Sequence, residues 1–162
     1  MELTLEHAYD AGLDHVISHF FSEDHILAKN EKLGARNVKV IAIQKDDVAG
    51  KLVVEREMTA STEVPGMLAS FHREWNEIRQ EEHWVKKDDS EWHCEFRVKV
   101  EGVPAKIKGV MRVQGNGDRC INYINLTVKS EVPFLGKKIA GFLANDTRIK
   151  IDQEREAIAS LL

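Results

Sequence analysis

The chain has 162 residues, a formal charge of −4, and 43% hydrophobic against 31% charged residues, the balance of a globular domain long enough to bury its own core. The acidic balance speaks against a dedicated nucleic-acid binder, and two cysteines, Cys94 and Cys120, are too few for a disulfide scaffold or an all-cysteine zinc site. No apolar run approaches the ~20 residues of a membrane span, and the acidic, alternating start MELTLEHAYD is unlike a signal peptide, so one cytoplasmic domain over 1–162, without stable membrane insertion, is expected.

Leu3, Leu5, His7 and Tyr9 alternate with Glu2, Thr4, Glu6 and Ala8, which predicts a strand that Gly12 breaks. Leu13, Val16, Ile17, Phe20 and Phe21 then recur at helical spacing. Ser22 is placed to cap a second short helix carrying Ile26, Leu27 and Leu33, and Gly34 suits the left-handed position after it. Strands are expected over 37–45, 51–60, 77–87, 91–101, 105–114 and 120–132, with turns at 46–51, 87–92, 101–104 and 116–118. Between 63 and 75 the alternation stops, and Met67, Leu68 and Phe71 after Pro65-Gly66 predict one or two helical turns. From Leu135 the helical period returns through Ile139, Phe142, Leu143, Ile149, Ile158 and Leu162, a helix of about 25 residues following Pro133. Strand, two helices, six antiparallel strands and a long helix read as α+β, a meander whose apolar face only the last helix can cover.

The element order resembles the START-like superfamily, also called the helix-grip or SRPBCC fold, in a bacterial branch without an assigned chemistry. Three runs carry the likeness: HAYDAGLDHVISHFFSEDHILAKNEKLGA (7–35), VPGMLASFHREWNEIRQEEHW (64–84) and EVPFLGKKIAGFL (131–143). The resemblance implies a curved antiparallel sheet of about seven strands (β-α-α-β6-α) wrapped around the C-terminal helix. It also implies a deep apolar cavity between the two, used to hold a hydrophobic small molecule such as a lipid, polyketide or aromatic metabolite. It brings no shared catalytic residue.

Candidate site residues follow from strand phase. Cys94, Phe96, Val98, Ile107, Met111, Val113, Ile124 and Leu126 would face the helix, with Ile139, Phe142 and Leu143 facing back. They either fill a dry core or line a pocket. Arg56 shares a side with Leu52, Val54 and Met58, while Gln80, Glu82 and Trp84 are in phase with Ile78. If those faces point inward, Arg56, Gln80 and Glu82 make a polar floor, and an Arg56–Glu82 pair could orient a carboxylate or hydroxyl. If they face solvent, the pair is a weak surface contact. The inward face is ambiguous for 37–45 and 77–87, because a one-residue slip reverses every side chain. His7, Tyr9 and Asn122 are further polar candidates.

His15 and His19 share a helix face but read as a solvated flank, since Val16 stands where HExxH requires glutamate. Cys94 reads as a buried inert thiol, and His93 beside it faces the other way. Arg97, Lys99, Lys106, Lys108 and Arg112 make a basic outer face, solvated or in weak contact with an anionic membrane. No nucleophile elbow, phosphate loop or dinucleotide fingerprint appears, so no cofactor and no metal are expected. The first reading is a hydrophobic-ligand binder gated by segment 61–76 through Met67 and Phe71. The alternatives are a cyclase, dehydratase or hydrolase drawing on Glu82, His7, Tyr9 and Arg56, and a co-chaperone-like module with a filled core. A homodimer is left open.

Overall fold

One seven-stranded antiparallel sheet runs in the order β1-β7-β6-β5-β4-β3-β2 in a computed structural model that describes all 162 residues. The strands are β1 (Glu2–Tyr9), β2 (Arg36–Lys45), β3 (Ala49–Met58), β4 (Asn76–Asp88), β5 (Glu91–Val100), β6 (Lys106–Asn116) and β7 (Arg119–Lys129). Helices α1 (Leu13–Phe20) and α2 (Glu23–Lys32) separate β1 from the meander, and α3 (Gly136–Leu161) closes the chain. A short 3-10 helix, Gly66–Phe71, links β3 to β4. The fold is the α+β helix-grip arrangement: β1 returns to pair with β7, and α3 packs across β7 and β1.

Local chemistry accounts for the joints. Ser22 Oγ accepts from the His25 amide at 3.4 Å and caps α2. Gly34 takes φ 74 after that helix, the left-handed position glycine occupies without strain. Asp46 Oδ1 accepts from the Val48 and Ala49 amides, both at 2.8 Å, so the β2–β3 turn is tighter than 46–51 and β3 already begins at Ala49. β7 stops at Lys129 rather than running to Val132, where Ser130 Oγ donates to the Pro104 carbonyl at 2.7 Å.

Two strand glycines sit where a neighbouring ring fills the space a side chain would need. A Cβ on Gly109 would meet the Asn125 carbonyl and come within 2.8 Å of Phe96 Cζ, so the Phe96 ring lies across the glycine. At Gly50 a Cβ would sit 2.5 Å from Phe21 Cζ, and Phe21 packs there edge-on against Trp84, ring centroids 6.1 Å apart.

Both ambiguous strands resolve. In β4, Ile78, Gln80, Glu82 and Trp84 face inward. In β2, the register shifts between Val40 and Ala42, so Val38, Val40 and Ile43 pack against Ile26, Leu52 and Val54 while Ile41 is exposed. No single period describes a strand that changes phase at a bulge. Three of the five basic residues on the outer face meet acids: Arg97 meets Glu81 at 2.8 Å, Arg112 meets Glu91 at 3.4 Å, and Lys99 meets Glu101 at 3.4 Å. No helix is long and apolar enough to cross a membrane.

Candidate functional site

Curvature of the sheet around α3 leaves a cavity of about 120 Å³. Its apolar walls are inward residues of the central strands, including Phe96, Val98, Ile107, Met111 and Ile124, faced by Leu143, Ile151 and Ile158 of α3. Its polar residues come from six elements and include His7 of β1, Lys29 of α2, Arg56 of β3, Gln80 and Glu82 of β4, Asn122 of β7 and Glu154 of α3. A smaller pocket of about 40 Å³ under the 3-10 helix shares Ile78, Val100, Leu143, Asp146 and Lys150 with it.

Ten expected residues line the main cavity: Arg56, Gln80, Glu82, Trp84, Phe96, Val98, Met111, Asn122, Ile124 and Leu143. Ile139 and Phe142 line the smaller pocket instead. Met58 is buried but lines neither, because it lies at the end of β3 opposite Asn76. His7 and Tyr9 reach the cavity from β1. Segment 61–76 does not stand at the main cavity's mouth. It roofs the smaller pocket through Leu68 and Phe71, and the Ser61 amide donates to Asp146 Oδ1 of α3 at 2.6 Å.

The expected Arg56–Glu82 pair does not form. Register puts Arg56 opposite Ile78 and Glu82 opposite Leu52, four residues or about 13 Å apart along the strands. Arg56 Nη1 donates instead to Asn30 Oδ1 at 2.7 Å. Glu82 accepts from Gln80 Nε2 at 2.8 Å and Trp84 Nε1 at 2.9 Å. Burial pushes the Glu82 carboxyl above its ordinary range, against the pull of the Lys29 charge and these two bonds, and the Glu154 charge adds to the rise. Glu154 goes the other way. Burial raises it, but the Lys29 and Arg56 charges more than offset that, and Lys29 Nζ bonds its Oε1 at 2.7 Å. One carboxyl is thus biased neutral and the other ionised in a single cavity, the separation from which acid and base roles arise.

Across the cavity, Asn122 Oδ1 is buried without a partner, and its Nδ2 reaches only Met111 Sδ at 3.5 Å. His7 Nε2 lies 3.0 Å from Asp152 Oδ1. Burial, with the Glu154 charge, raises the Tyr9 phenol. Cys94 and Cys120 are buried free thiols, and burial pushes Cys120 up to about 11, so neither is a ready nucleophile.

Lys29, Asp146, Thr147, Lys150, Ile151 and Glu154 were not anticipated from apolar periodicity. Three of them carry a signal: Leu143, Thr147, Ile151, Glu154 and Ile158 follow one helix face at 4, 4, 3 and 4 residue steps. A search for apolar residues alone passes over the two polar ones.

His19 departs from the expected solvated flank. It is 3% exposed, stacks on His25 with ring centroids 4.2 Å apart, and has no partner at either ring nitrogen, whereas His15 is exposed. Burial, with the His25 charge second, lowers its pKa from 6.5 to about 4. The folded value lies below the unfolded one, so stability from a neutral His19 is present above pH 6.5 and drains away as pH falls toward 4. Thermal melts from pH 7 to 4.5 should therefore show a clearly smaller fall in Tm for His19→Leu than for the wild type. Parallel curves would refute the assignment. No three His, Cys, Asp or Glu side chains converge as a metal site.

The family model described as "Protein of unknown function (DUF2505)" matches residues 4–162. The chain belongs to that family. No curated protein is significantly similar to it. Among solved structures, a Thermus thermophilus protein superposes with a TM-score of 0.64 at 12% identity over 99% of both chains. The Zhui aromatase/cyclase of a Streptomyces species gives 0.65 at 9% identity, over 99% of this chain and 92% of that one. Norcoclaurine synthase from Thalictrum flavum gives 0.53 at 17% identity, over 99% and 85%. At such identities the likeness is one of fold, that of the START-like, helix-grip proteins. The chain therefore shares a scaffold with these proteins, and a scaffold by itself assigns no chemistry.

Proposed function

We propose that this chain binds a small, mostly apolar molecule bearing a polar group, inside the cavity between the sheet and α3. The observation that carries the reading is the cavity itself: apolar walls with buried polar groups converging from separate elements. Its volume of about 120 Å³ approaches the roughly 150 Å³ of an engineered cavity that admits benzene. A single ring or short branched chain suits it better than a two-chain lipid. The norcoclaurine synthase of Thalictrum flavum, of the same fold, has been solved with dopamine and hydroxybenzaldehyde, both single-ring compounds. The open cavity weighs against a filled-core interaction module.

Native mass spectrometry of freshly purified protein, followed by organic extraction, tests this. A discrete added mass of small-molecule size is expected. A clean apo mass, together with no thermal stabilisation by any single-ring compound, overturns it.

A second reading rests on the opposite biases of Glu82 and Glu154. Here a protonated Glu82 donates to the bound molecule, as a cyclase or dehydratase would require. Ligand extracted from Glu82→Gln protein should then change in mass or retention when given to the wild type. Ligand returned unchanged refutes catalysis and leaves binding intact.

A further inference from the structure

Arg56 lines this cavity with no carboxylate bonded to it. Its only hydrogen-bond partner is the neutral amide of Asn30, and its Nε is buried with no partner at all. Asn30 cannot neutralise it, since its oxygen accepts from Arg56 and its nitrogen donates to the Ile26 carbonyl at 2.8 Å. Glu154 feels the Arg56 charge but is bonded by Lys29 at 2.7 Å. Two cations therefore share one anion on this wall. Of the other ionisable residues lining the cavity, Lys150 pairs with Asp146 and His7 bonds Asp152, while the only bond of Arg155, to the Ala8 carbonyl at 3.4 Å, is exposed to solvent. The remaining carboxyl, Glu82, is held toward its neutral form by burial and bonds Gln80 and Trp84.

An unpaired guanidinium beside an apolar cavity is costly, and it prefers a planar anion with two oxygens. We propose that the cavity selects small organic carboxylic acids, with the carboxylate on the Arg56 guanidinium and a single-ring or short branched body among the apolar walls. The inference rests on the ligand-binding reading above and adds the ligand's charge and its anchor. Phosphate esters fit less well, because a doubly charged group would exceed the one uncompensated cation.

Calorimetry and thermal melts at pH 7.5 with benzoate and phenylacetate, against benzamide and benzyl alcohol, provide the test. The acids should bind about 10- to 100-fold tighter than their neutral counterparts, the worth of hydrogen bonds to a charged group. Arg56→Gln should collapse that preference to within about 3-fold, while Arg56→Lys retains part of it. Arg56→Met, closer in length, serves if the glutamine variant fails to fold. Equal affinity for acid and neutral probes overturns the proposal, as does a preference that survives loss of the guanidinium. So does a co-purified ligand without an acidic group, which would leave the binding reading standing. If no probe binds and nothing co-purifies, the binding reading fails and this proposal with it.

Discussion

Replacing Lys29 with methionine should cost about 3–5 kcal/mol of stability, the penalty for stranding one member of a buried ion pair. Lys29 Nζ lies 2.7 Å from Glu154 Oε1, and the two side chains are only 13% and 21% exposed. The pair ties α2 to α3 across 125 residues of sequence and closes one end of the cavity. Without Lys29, Glu154 keeps its burial and loses its main compensation. The double variant Lys29→Met/Glu154→Met should recover part of the loss, because the stranded carboxylate is gone, although Arg56 then loses the anion it shares with Lys29. Urea unfolding of both single variants and the double variant closes the cycle. A coupling of about 2 kcal/mol or more is expected, and losses that simply add within about 0.5 kcal/mol would show that the pair contributes no specific stability.

The two cavity glutamates should respond to neutralisation with opposite signs. Glu82 has a folded pKa above its unfolded value. The stability it contributes is fully present below the unfolded value near 4.5 and is lost as pH rises through the folded one. Glu82→Gln should therefore stabilise the protein at pH 7, by on the order of 1 kcal/mol or about 2–4 °C, and gain nothing at pH 4. The glutamine can keep both bonds, accepting from Trp84 Nε1 and donating to Gln80 once that amide turns over. Glu154 has a folded pKa below its unfolded value. Its contribution is present above about 4.5 and is lost as pH falls through the folded value. Glu154→Gln should destabilise at pH 7 and approach the wild type in acid. Melts of both variants at pH 7 and pH 4 check the pattern. A shift of the same sign for both would show that their environments are not opposed.

Opposed environments also bear on ligand choice. With Glu82 bonded to Gln80 and Trp84 and Glu154 held by Lys29, no carboxylate is bonded to Arg56, whose charge lies beside the cavity. Had Glu82 reached Arg56, the floor would be neutral and would favour uncharged ligands. Strand register therefore shapes the electrostatics of the site, although neither residue type gives any sign of it alone.

Much of the architecture is legible in local pattern. Alternation along 91–101 and 105–114 places Phe96, Val98, Ile107 and Met111 inward, as they stand in the cavity wall. Ser22, Gly34 and the Asn116–Asp118 turn mark real joints. These readings succeed because a half-buried strand imposes a period of two on its own sequence, and caps and turns depend on residues only a few positions apart. Pattern stops informing where contacts are long-range. Phase groups Arg56 with Leu52 and Val54, and Glu82 with Gln80 and Trp84, but leaves open which face of 77–87 is inward and is silent on the four-residue offset that the β3–β4 register sets. His19 lies next to the apolar stripe of α1, and only the packing of α2, which brings His25 onto its ring, buries it.

The element order, the α+β class and much of the apolar lining can be read from the chain alone, since each depends on interactions within a strand, a helix or a turn, while the helix-grip class follows from the family resemblance. Tertiary structure decided the rest: which strand faces meet α3, that Lys29 rather than Arg56 holds a glutamate, and that Arg56 is left facing the cavity with a charge to share. Those outcomes join α2, β3, β4 and α3, and charges brought together from such distant positions leave no periodic trace in the chain.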